Sequence, residues 1–207
     1  MKKAICLLLC AVLSFSLIGC GGDGKTESGT ENKTDITAES RDAAVTSDSK
    51  TLVVYFSATG NTKEIAKTIS DYLNADIFEI VPEVPYTDSD LNWNDKNSRV
   101  STEHSDESKR VVPLKQSVPN GWEQYDTVFI GYPIWWGIAA WPINGFISAN
   151  DFTGKTVVPF CSSASSGIGE SDKLLKEAAG AGNWKSGQRF SSGASKKEIE
   201  EWLKSIT

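Results

Sequence analysis

The chain has 207 residues, 39% hydrophobic and 23% charged, with a formal net charge of -6. That apolar content supports a sizeable core, and the acidic balance excludes nucleic acid as a partner, because a phosphate backbone needs a basic surface. One His and four Cys argue against a His-rich metal centre, a Ser-His-Asp triad and a disulfide scaffold.

Met1-Lys2-Lys3 is a positive start, and residues 4–18, AICLLLCAVLSFSLI, are almost wholly apolar. Such a run is short for a permanent membrane helix and suits a secretory signal. Leu17-Ile18-Gly19-Cys20 resembles the lipobox of bacterial lipoprotein signals. That resemblance implies a signal peptide over 1–19, lipidation of Cys20, and an extracytoplasmic protein anchored to a bacterial membrane. Cleavage would also take Cys6 and Cys10, leaving no intrachain disulfide between a lipidated Cys20 and Cys161. Residues 21–50 hold no aromatic, Leu or Pro. They cannot bury enough surface to offset their ordering entropy, so 20–50 is expected to be a disordered tether, reaching about 30 Å.

From Thr51 strands and helices alternate. Leu52-Val53-Val54-Tyr55-Phe56 is a continuous apolar run, as expected of a strand buried on both faces. Ile65, Ala66, Ile69, Tyr72 and Leu73 recur at helical spacing. Residues 76–81 read as a second strand, closed by Pro82 and Pro85. A long polar stretch over 86–120 contains a short helix within 89–105. Residues 127–131 form a third strand, and 142–149 a helix with Pro142 in its first turn. Residues 156–161 form a fourth strand despite Pro159. Residues 171–179 form a helix with Leu174 and Leu175 inward, and 183–190 a weak fifth strand. Ser195 caps a last helix that carries Ile199, Trp202, Leu203 and Ile206, with Glu198 at the capping-box position. This alternation predicts an open parallel α/β sheet, with ligands beyond the carboxyl ends of the strands.

The loop Ser57-Ala58-Thr59-Gly60-Asn61-Thr62 joins the first strand to the first helix. Hydroxyls, one Gly and a helix N-terminus there suit an anion, while an ordinary cap by Thr59 or Asn61 is the plain alternative. It has neither the Gly-Lys pattern of an ATPase loop nor the three-glycine fingerprint of a dinucleotide fold. With Val53-Val54-Tyr55-Phe56 before it, this loop resembles the first strand and phosphate loop of the flavodoxin family. Gly131-Tyr132-Pro133-Ile134-Trp135-Trp136-Gly137 is similar to the loop after strand three in one flavodoxin-like subfamily. Cys161-Ser162-Ser163-Ala164-Ser165-Ser166-Gly167-Ile168-Gly169 is similar to the loop after strand four. The stretch from Asp90 to Arg99 is also similar.

The resemblance spans 51–207. It implies a flavodoxin-like three-layer sandwich with a five-stranded parallel sheet of order 2-1-3-4-5, binding FMN at the switch point. It carries the phosphate to Ser57, Ala58, Thr59, Gly60, Asn61 and Thr62. It carries the flavin ring to Pro133, Ile134, Trp135, Trp136 and Gly137 on one side and Ser162, Ser163, Ser166, Gly167 and Gly169 on the other. The residues agree independently. Trp135 and Trp136 offer an aromatic face, with Trp136 preferred, and the Ser/Gly loop offers close backbone donors. Redox partner proteins or a small-molecule electron acceptor are the expected partners. These loops contain no Lys or Arg, so full reduction, which adds negative charge, is expected to be disfavoured.

Other residues receive plainer readings. Cys161, at the end of a buried strand, is expected to behave as a small hydrophobe. His104 is expected to be exposed and solvated. The Ser cluster lacks the Gly-x-Ser-x-Gly elbow of a hydrolase. The segment from Asp90 to Arg110 is expected to cover the flavin as a lid, the alternative being an inert excursion.

Overall fold

The computed structural model describes residues 49–206. The expected signal peptide, Cys20 and the tether up to residue 48 lie outside the described residues. In chain order the elements are Thr51–Tyr55 (β1), Asn61–Leu73 (α1), Asp76–Glu79 (β2), Arg99–Ser105 (α2), Thr127–Trp135 (β3), Ile138–Ala139 (β4), Pro142–Ala149 (α3), Thr156–Ser162 (β5), Ser171–Ala179 (α4), Asn183–Trp184 (β6), Gln188–Phe190 (β7) and Lys196–Ile206 (α5).

The parallel sheet runs β2-β1-β3-β5, and β6 and β7 both pair with β5 at the far edge. Alternate residues of the central strands feed two cores. Leu52, Val54, Phe56, Val128 and Ile130 pack with Ile143, Phe146 and Leu175 from α3 and α4. Val53, Tyr55, Phe129, Val158 and Phe160 pack with Ile65, Ile69, Ile199 and Leu203 from α1 and α5. Burial on both faces explains why these strands read as unbroken apolar runs. It also explains Gly131, beside Phe160 in register, where an added Cβ would stand 2.2 Å from that ring.

The three-layer architecture and the order of the long strands match the sequence expectation, with four differences. The third strand runs past Gly131 to Trp135 and turns back through β4, so the expected loop is a β-hairpin. The weak fifth strand is two short pieces, β6 and β7, interrupted at Lys185–Gly187. The helix expected within 89–105 covers only 99–105. Its first half is held in side-chain turns, with Asn94 N–H donating to Asn92 Oδ1 and Asn97 N–H to Asp95 Oδ1, which compete with helical bonding. Finally, Leu174, Ile206 and Tyr72 face solvent, because only one stripe of each amphipathic helix meets the sheet. The expected cap of α5 is present, with Ser195 Oγ accepting from Glu198 N–H at 3.2 Å.

Candidate functional site

Three connections meet beyond the carboxyl ends of β1, β3 and β5, and specific contacts tie them together. Phe56 N–H donates to Gly131 O at 3.0 Å, holding the first loop against β3. The Thr62 and Ser162 hydroxyls, both buried, are hydrogen-bonded at 2.7 Å, holding the start of α1 against the end of β5. Glu170 N–H donates to Gly137 O at 3.3 Å, and a Cβ on Gly169 would lie 2.0 Å from that same carbonyl. Gly169 therefore lets the loop after β5 close onto the hairpin tip.

The first loop is shaped to receive an anion. Gly60 is the N-cap of α1 at φ 89°, a conformation that favours glycine, and no side chain caps the helix. The plain alternative, a cap by Thr59 or Asn61, is not what the structure shows. Instead the Asn61 amide donates to Thr59 Oγ1 at 3.1 Å. The Ser57 hydroxyl is buried and has no hydrogen-bond partner among the described residues. A buried, unpaired hydroxyl beside the uncapped positive end of a helix fits a nucleotide phosphate. The Thr62 hydroxyl, at the start of the same helix, is hydrogen-bonded to Ser162.

On the other side, Trp136 and Gly137 form the two-residue hairpin turn, with φ 47° and 81°. Positive φ at both positions is the pattern of a type I′ turn, which favours Asn-Gly. A bulky residue there costs about 1–3 kcal/mol, so the backbone is strained to present the Trp136 ring, which is 42% exposed. Trp135 points into the body of the protein, with its ring edge-on to Phe56 at 5.7 Å, Tyr86 at 5.2 Å and Trp141 at 5.4 Å. Pro133 and Ile134 are strand residues at the base of the hairpin. The two adjacent tryptophans thus divide the work of packing and presentation.

In the loop after β5, Ser163 Oγ donates to Ser166 O, while Ser166, Gly167 and Gly169 are exposed. The binding loops themselves contain no Lys or Arg, and the fold brings one to this loop from outside. The Arg189 guanidinium, from β7, donates to Ser163 Oγ at 3.1 Å, Ser163 O at 2.8 Å and Ala164 O at 3.0 Å. This fixed positive charge weakens the expectation that reduction is disfavoured for want of a cation. Only the edge strand brings Arg189 there, and no local pattern around it signals the contact. Cys161 is fully buried, as expected, and burial, followed by the Asp172 carboxylate, pushes its thiol up to about 12.

The segment 86–110 is tied together by side-chain contacts and packs against the hairpin. Tyr86 donates to Glu103 Oε2 at 2.7 Å, and Arg99 pairs with Glu103 at 2.8 Å and lies 3.8 Å over the Tyr86 ring. Burial and then the Glu103 bond push the Tyr86 phenol well up. Arg110 donates to Glu103 O at 3.0 Å and His104 O at 2.6 Å, and its guanidinium lies 4.9 Å over Trp141. His104 is exposed as expected, yet its ring stacks on Trp136 with centroids 4.3 Å apart and planes at 14°. The insert therefore borders the hairpin side of the site.

A parallel three-layer sheet whose first loop suits a phosphate, and whose third and fifth strands end in an aromatic hairpin and a Ser/Gly loop, is the arrangement of a flavodoxin-like fold. A sequence model of the flavodoxin family matches residues 50–206, and the chain belongs to that family. Among solved structures it is 43% identical to a protein from Bacteroides eggerthii assigned as a flavoprotein, with 77% of this chain and 98% of that one covered and a TM-score of 0.69. A similar assignment from Bacteroides uniformis is 44% identical, covering 75% and 98%, with a TM-score of 0.70. A flavoprotein from Lactobacillus acidophilus, solved in complex with FMN, shares the fold at 20% identity, 75% and 99% coverage and a TM-score of 0.54. A search of curated proteins gave no match.

Proposed function

We propose that this chain is an FMN-binding redox protein that carries electrons outside the cytoplasmic membrane, tethered there by lipidated Cys20. The observation that carries FMN binding is the buried, unpaired Ser57 hydroxyl beside the uncapped start of α1. Family membership supports the same reading. Ser57, Thr59, Gly60 and Asn61 would hold the phosphate. Trp136 and the loop 163–169 would border the ring. When bound, FMN supplies one- or two-electron redox chemistry. The converging groups are hydroxyls, backbone amides, aromatic rings and the Arg189 guanidinium, which bind and orient a cofactor, and this favours a carrier. The tether reading rests on the sequence of residues 1–50: the positive start, the apolar run 4–18, the lipobox-like Leu17-Ile18-Gly19-Cys20 and the polar stretch after it.

The test is calorimetric titration of the full chain with FMN and with riboflavin, together with its absorption spectrum. Several charge-assisted bonds to the phosphate should make FMN bind at least ~100-fold tighter than riboflavin. Equal affinities would remove the first loop from phosphate binding, and no FMN binding at all would sink the proposal. A second reading, an FMN-dependent reductase of a quinone or other small acceptor, is favoured by one observation. The insert 86–110 packs beside the hairpin, with Tyr86 against Trp135 and His104 against Trp136. Direct oxidation of a nicotinamide donor by the loaded protein separates it from a carrier.

A further inference from the structure

Trp136 is held at φ 47° on a hairpin tip, a conformation unfavourable for tryptophan, and its ring is not free. The His104 imidazole lies nearly flat on it at 4.3 Å, and Trp141 lies nearly parallel to it at 6.1 Å. His104 is not a loose surface side chain that landed there. It sits on α2, two of whose C-terminal carbonyls, at Glu103 and His104, accept from Arg110. Arg110 is itself seated over Trp141 and paired with Glu107 at 3.0 Å. The insert thus delivers an imidazole onto an aromatic face that borders the flavin site.

We infer that His104 sets the affinity of the site by competing with the flavin ring for one face of Trp136. The inference rests on the FMN reading above. An imidazole covers much less area than a three-ring isoalloxazine, and both prefer a flat offset contact with indole. In the flavin-free protein His104 shields the exposed tryptophan. On binding, the larger ring takes that face and the imidazole swings to solvent, which is accessible because His104 is already exposed. The free energy of breaking the His104–Trp136 stack is subtracted from the binding of every flavin, with or without a phosphate. Arg110 keeps the α2 backbone in place, so only the side chain of His104 moves.

The experiment uses the full chain. His104 is its only histidine, so the imidazole protons give one unambiguous set of NMR signals. In the flavin-free protein those signals are shifted upfield by the indole ring current, and Trp136→Ala abolishes the shift. Saturation with FMN moves them toward the position of a free imidazole. In calorimetry, His104→Ala binds both FMN and riboflavin about fivefold more tightly, the scale of one lost stacking contact. His104→Phe, which keeps a ring on Trp136, gains nothing. In a Trp136→Ala background, His104→Ala no longer changes affinity. A purely structural role would produce neither the equal gain for both flavins nor its loss in that background. The inference is overturned if FMN binds while the His104 signals stay where they were, or if His104→Ala binds FMN no tighter than wild type. If the wild type shows no FMN binding at all, the FMN reading fails and this inference falls with it. Loss of the phosphate preference alone, with the His104 effects intact, would overturn only the first-loop argument.

Discussion

Removing the Ser57 hydroxyl should have opposite effects on the free and the FMN-bound protein. The hydroxyl oxygen is buried and makes no hydrogen bond among the described residues. A buried hydroxyl left without a partner costs about 1–3 kcal/mol, so Ser57→Ala should stabilise the flavin-free protein, by about 1 kcal/mol if the site partly relaxes. With FMN bound, the same hydroxyl would donate to a charged phosphate oxygen. Such a bond contributes about 1.5–3 kcal/mol, and its loss should weaken FMN binding roughly 10- to 150-fold. Riboflavin lacks the phosphate, and its affinity should hardly change. The assay pairs urea unfolding of the flavin-free wild type and variant with calorimetric titration of both ligands. A variant that is less stable and binds FMN as before would contradict both expectations. It would mean that the Ser57 hydroxyl has a partner in solution and takes no part in binding a phosphate.

Other outcomes follow from the closures around the site. Gly169→Ala places a Cβ 2.0 Å from the Gly137 carbonyl at φ 62° and should separate the loop after β5 from the hairpin, whereas Gly167→Ala meets nothing within 4 Å. We expect the first to weaken FMN binding at least ~10-fold and the second to leave it within about twofold, since left-handed strain alone costs about 1–2 kcal/mol; equal effects of the two would remove the closure argument. Cys161 should resist alkylation in the native protein at mildly alkaline pH and react once unfolded, because burial pushes its thiol up to about 12. The sign is that of a group kept neutral by folding. Its contribution is present below the unfolded value, near 9, and is lost as pH rises from there toward about 12. Peptide mapping after iodoacetamide treatment checks this, and rapid native labelling of Cys161 would contradict it.

The sequence alone determined those features that depend on near neighbours. The double-faced strands, the amphipathic phase of α1 and α5, the Ser195 cap and the phosphate-loop pattern are all read from residues a few positions apart. Local competition also explains the short α2, since the Asn and Asp residues before it bond to nearby backbone. Tertiary structure decided the rest. Thr62 and Ser162 are 100 positions apart, and nothing near either one shows that their hydroxyls bond to each other. Arg189 reaches the Ser163 loop only because β7 pairs with β5 along the sheet edge. Trp135 and Trp136 are adjacent and chemically identical, and the hairpin turn alone sends one inward and presents the other. His104, in a charged stretch, reads as solvated until the insert folds back and lays it on Trp136. Local patterns specify elements because backbone preferences act over a turn or a strand. Partners brought together by the sheet are specified by closure of the whole chain, and no short window contains that information.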